Sequence, residues 1–194
     1  MSEFYANITL QGPSQEEVTA WLNAAGHIAY VSPAERGGVV VFPADLAATE
    51  PLAAELSRAL ACRALLVLVL GENVMLYHAY DKGGQADAYV SPHDEPIVGL
   101  DDTQEPHPPG NAAALCAAFG VDLPHQIARV ERILRRSNHP TRGYAMAVNR
   151  HGELAQALKL PLLAAGTGFA QIEIGELPAA PGCEPVRVVR TGAG

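Results

Sequence analysis

The chain has 194 residues, 48% of them hydrophobic and 18% charged, with a formal charge of −8. That composition suits one domain able to bury about 70% of its unfolded surface, and it excludes general disorder. No run reaches the ~18 apolar residues of a membrane span, and the net acidity disfavours nucleic acid as a general partner.

Three scattered cysteines, Cys62, Cys116 and Cys183, read as core residues or free thiols rather than a disulfide framework. The opening MSEFYANITLQG lacks the basic and apolar regions of a signal peptide, so the expectation is a cytoplasmic protein.

Residues 4–10 alternate, with Phe4, Ala6, Ile8 and Leu10 on one face and Tyr5, Asn7 and Thr9 on the other. This is the pattern of a half-buried strand. Ser14 and Glu17 form a capping box, and Val18, Trp21, Leu22 and Ala25 then share one helical face before Gly26 stops it. Residues 28–31 and 39–42 are two short strands around a turn-rich Ser32–Gly38 link. Thr49 is expected to cap a second helix carrying Leu52, Leu56, Ala59 and Leu60.

Residues 64–70, ALLVLVL, are apolar on both faces. A strand of this kind has to be covered above and below. Exposing Leu65, Val67 and Val69 would forfeit roughly 1.5–3 kcal/mol each. A turn at Gly71-Glu72-Asn73 leads into residues 74–80, and Lys82-Gly83-Gly84 leads into residues 86–90, a three-strand antiparallel meander.

The order β-α-β-β-α-β with extra antiparallel strands is ferredoxin-like. That α+β arrangement puts both helices on one face. The second face then needs the C-terminal helices or a second copy of the chain, and the reading takes the helices.

Residues 91–110 form an acidic loop with five prolines, read as a connector. Helices are expected at 112–119 and from Leu123 to Leu134, the second exposing Arg129, Arg132 and Arg136. Further expectations are a strand at 144–148, a short helix at 153–160, a strand at 169–174, and a loose tail in which 186–189 adds a strand. The domain reading is therefore a sheet region over 1–92, an acidic connector over 93–110, a mainly helical part over 111–177 and a loosely ordered tail over 178–194.

The seven histidines show no metal-ligand spacing, and Gly166-Thr167-Gly168 lacks the rest of a phosphate loop. No catalytic residue, metal or cofactor is assigned, and the reading leans away from an enzyme. Three surfaces are interaction candidates. The acidic loop carries Asp94, Glu95, Asp101, Asp102 and Glu105. The meander carries Tyr77, His78, Tyr80 and Tyr89, an aromatic contact patch if exposed and ordinary cross-strand packing if not. Residues 129–151 hold six arginines against Glu131, a stretch suited to phosphate, to an acidic partner, or to a solvated face.

The segments FYANITLQGP, VSP…GGVVVF, VLGENVMLYHAYDKGGQADAY and GTGFAQIEIGELP together resemble a group of uncharacterised bacterial proteins of this length. The resemblance implies a bacterial cytosolic protein and carries no activity. Size and acidity are also similar to those of immunity proteins that neutralise toxins, a fold-level analogy. The leading expectation is a non-enzymatic protein-interaction module of that kind, binding a protein partner or itself through the acidic loop 93–105 or the tyrosine-bearing meander. The alternatives are a small-ligand domain with a pocket between sheet and C-terminal helices near His78, and an enzyme of unknown class.

Overall fold

The computed structural model describes residues 4–71, 73–92, 107–137 and 143–192. These run β1 (Tyr5–Gln11), α1 (Gln15–Ala25), β2 (Ala29–Val31), β3 (Gly38–Pro43), α2 (Thr49–Ala59), β4 (Arg63–Leu70), β5 (Val74–Asp81) and β6 (Gly84–Val90). After them come α3 (Ala112–Ala118), α4 (Pro124–Arg135), α5 (Ala147–Ala157), a 3-10 turn at Leu162–Ala164, α6 (Phe169–Glu173) and β7 (Val189–Arg190). The protein is α+β: a seven-stranded sheet in the order β6-β5-β4-β1-β3-β2-β7, antiparallel throughout, with six helices among the described residues.

β4 is the apolar heptapeptide, paired with β1 on one side and β5 on the other. Its alternation sends Ala64 and Leu66 to a core with Ile8, Leu10, Val18, Leu22, Leu52 and Leu56, under α1 and α2. Leu65, Val67 and Val69 face the opposite layer, where Met75 and Tyr77 meet Leu115, Val130, Leu134 and Leu154 from α3, α4 and α5. The strand is thus covered on both sides, as its sequence requires, and the C-terminal helices form the second cover. A third cluster extends that face past β1: Val40 and Phe42 pack on Leu163, Ala164 and Ile172.

The first helix forms as its sequence predicts. Ser14 Oγ accepts from the Glu17 amide (3.2 Å), Glu17 Oε2 accepts from the Ser14 amide (2.8 Å), and Gly26 closes the helix at φ 76°.

Several local expectations are corrected. β1 is buried on both faces rather than half-buried, with Tyr5, Asn7 and Thr9 as enclosed as Ile8 and Leu10, while Phe4 is exposed. The reason is the second helical layer. Thr49 is the first helical residue, not the cap; its Oγ1 donates to the carbonyls of Asp45 and Leu46, and Asp45 Oδ1 accepts from the amides of Ala47 and Ala48. The strand expected at 144–148 is absent, because α5 begins at Ala147 and runs through to Ala157. Ala147, His151, Leu154 and Leu158 recur at helical spacing and all are buried. The strand expected at 169–174 is α6, whose Gln171 Oε1 accepts from the Gly168 amide (3.1 Å) at its start. A run this short alternates equally well in either conformation.

From Pro178 the chain returns to the sheet. β7 pairs with β2, and the buried Thr191 ties down its end: its Oγ1 donates to His27 O (2.8 Å) and accepts from the Ala29 amide (3.0 Å).

Candidate functional site

The tyrosines of the meander are structural. Tyr77 and Tyr89 face one another across β5 and β6 with ring centroids 5.2 Å apart, both buried under the C-terminal helices. The Tyr77 hydroxyl donates to Asp87 Oδ2 (2.6 Å), and the Tyr89 hydroxyl donates to Leu134 O (2.9 Å). Tyr80 is buried on the opposite face, in the core of α1 and α2. Their ring surface is therefore not an exposed contact patch. His78 also faces α2, with Nδ1 3.5 Å from Glu50 Oε1. It lies on the opposite side of the sheet from the C-terminal helices, so it cannot line a pocket beneath them. The acidic candidates Asp94, Glu95, Asp101, Asp102 and Glu105 lie outside the described residues.

The arginine flank is brought together. α4 buries Val130, Ile133 and Leu134, which turns Arg129, Arg132, Arg135 and Arg136 outward from its C-terminal half. With α5 alongside, these side chains line a cleft of about 550 Å³ whose floor is Ile133 and Tyr144 and whose one carboxylate, among the described residues, is Glu153. That volume is within the range of small-ligand sites.

Most of the cationic groups are pre-set. Arg129 Nη2 donates to Gln156 Oε1 (2.7 Å) on α5. The Arg136 guanidinium lies over the Tyr144 ring, 4.9 Å from its centroid. Arg135 donates to Pro109 O (3.0 Å) and lies 3.9 Å from Glu131. Arg132 has no partner among the described residues. Glu153 is committed: its Oε2 accepts from the Tyr144 hydroxyl (2.6 Å). Burial, helped by that bond, pushes the Tyr144 hydroxyl up to about 12, so Tyr144 stays a neutral donor at physiological pH.

Beneath the cleft sits Arg150, a fully buried cation on α5. It donates to the Tyr89 hydroxyl (2.9 Å) and to the carbonyls of Ile133 and Arg136 at the C-terminal end of α4, and lies 4.5 Å from the Tyr144 ring centroid. A cation here satisfies carbonyls that the helix leaves unpaired and meets the negative end of its dipole. Burial lowers the Arg150 pKa, yet a guanidinium starts so high that it remains charged. The sequence reading counted Arg150 only within a basic stretch. The available signal was the helical spacing of Ala147, Arg150 and Leu154, which the expected strand at 144–148 and helix at 153–160 divided between them.

The same helix presents a buried pair to β1. His151 Nδ1 is 3.0 Å from the Tyr5 hydroxyl, and burial pulls the imidazole down to about 4. The pair is enclosed, Tyr5 and His151 both being buried, as in a packing contact. No three His, Cys, Asp or Glu side chains converge among the described residues, and no helix there is long and apolar enough to cross a membrane. What the α4–α5 cleft offers is fixed positive charge and forked hydrogen-bond donors, the chemistry of anion recognition. No protein-family model matches the chain, and no curated protein or solved structure is found to be similar to it.

Proposed function

We propose that the protein is a non-enzymatic interaction module whose α4–α5 arginine cleft receives acidic side chains of a protein partner. The observation that carries this reading is the cleft itself: among the described residues four guanidiniums line it against one committed carboxylate, Glu153, with Arg135 also paired to Glu131 at its edge, in a chain whose overall charge is −8. Charges more than about 8 Å apart are largely screened at physiological salt, so an acidic partner meets the local field rather than the net charge. Gln156 and Tyr144 hold Arg129 and Arg136 in place, which reduces the ordering cost of binding. The β4-β1-β3-β2 order, with α1 and α2 on one face, supports a ferredoxin-like unit as the scaffold that backs this helical layer.

The test is binding of a synthetic peptide rich in Asp and Glu, followed by fluorescence anisotropy at increasing salt. Affinity falls as salt rises. Replacing Arg129, Arg132 and Arg136 together by Gln weakens it roughly tenfold, the sum expected of three exposed charge pairs. Equal binding by the triple variant overturns the assignment.

A further inference from the structure

The charge in the cleft exceeds what one carboxylate can use. Among the described residues its cationic lining is arginine, so the donors are planar forks suited to bidentate contact with tetrahedral oxyanions. A carboxylate brings one charge and two oxygens; a phosphoryl group brings nearly two charges and three strong acceptors. Among the described residues the cleft's one aromatic ring, Tyr144, already carries Arg136 at 4.9 Å and Arg150 at 4.5 Å, so that ring is not a free platform for a nucleobase. Arg132 is the cation left without a partner among the described residues, beside Arg129 and Arg136, which are already oriented.

Resting on the reading of this cleft as a site for acidic groups, we propose that the group it is built for is a phosphoryl, with Arg132 as the fork that discriminates it from a carboxylate. The phosphoryl comes from a phosphorylated side chain of the partner or from a small phosphate ester.

The experiment compares four probes by isothermal titration against the full chain. They are a phosphoserine peptide in an acidic context, the same peptide with Glu in place of phosphoserine, the unphosphorylated peptide, and pyrophosphate. The phosphoserine peptide binds roughly tenfold more tightly than the Glu peptide, the advantage of a doubly charged, multidentate acceptor. Arg132→Lys keeps the charge and loses the fork; it removes most of that difference while leaving the Glu peptide nearly unchanged. Arg132 is exposed, so this variant folds as the parent does. Tight pyrophosphate binding that Arg132→Lys weakens, without a phosphopeptide advantage, supports the phosphoryl site and places its source in a small ester. Equal affinity for the phosphoserine and Glu peptides, with no pyrophosphate binding, overturns the phosphoryl assignment and leaves the acidic-partner reading standing. Failure of every probe overturns both.

Discussion

His151 ties the stability of the second layer to pH. Enclosed between α5 and β1, it is held neutral, with its folded pKa near 4 against about 6.5 in the unfolded chain. The folded state therefore binds its proton less readily. The contribution is full above pH 6.5 and is lost as pH falls toward 4, where the unfolded chain takes up a proton that the folded chain refuses. At about 1.4 kcal/mol per unit, some 3 kcal/mol disappears across that window. Urea midpoints measured between pH 7 and pH 4.5 should fall steeply for the wild type and much less for His151→Gln. A wild-type midpoint flat over that range would show that the imidazole is solvated. The sequence marks His151 only as one of seven histidines, since burial by a distant strand leaves no local trace. Tyr77 and Tyr89 teach the same point in reverse: their place on adjacent strands was legible, but the helices that cover them join through contacts far apart in the chain.

At the level of elements, strong local codes were readable and weak ones were not. Ser14, Glu17 and Gly26 carry their own hydrogen bonds, so α1 needs no distant partner to declare its ends. The 144–148 and 169–174 runs have no such code, and their short apolar alternation suits a strand as well as a helix. Arg150 ties α5 to the C-terminal end of α4, beside the Arg129–Gln156 bond and the apolar core that the two helices share. Arg150→Met strips the donor from the Ile133 and Arg136 carbonyls and the Tyr89 hydroxyl. Leaving a buried acceptor unpaired costs roughly 1–3 kcal/mol, so a loss of about 3 kcal/mol is expected in urea denaturation. Arg150→Lys falls between, because an ammonium keeps the charge but not the fork. A loss below about 1 kcal/mol for Arg150→Met would mean that apolar packing alone seats α5 on α4.

Across the whole molecule, one sheet divides two helical layers, and neither layer is optional. Residues 1–92 without the rest would leave Leu65, Val67, Val69, Met75 and Tyr77 facing water, at roughly 1.5–3 kcal/mol for each large apolar side chain. That sum rivals the total stability of a typical domain, about 5–15 kcal/mol. A chain truncated after residue 92 should therefore aggregate or give collapsed amide spectra by NMR. A soluble, well-dispersed fragment would show that the sheet stands on one layer.

By itself the sequence determined the sheet's central strand, the first helix with both its ends, and the need for cover on both faces, because alternation and caps are written within a few neighbouring residues. Only the tertiary structure decided that the meander tyrosines are enclosed, that a buried arginine of α5 reaches the end of α4, and that the arginine face of α4 meets Tyr144 and Glu153 to form a cleft. Those outcomes depend on which surfaces meet, and that is settled by burying apolar area between segments distant in the chain, which local patterning does not encode.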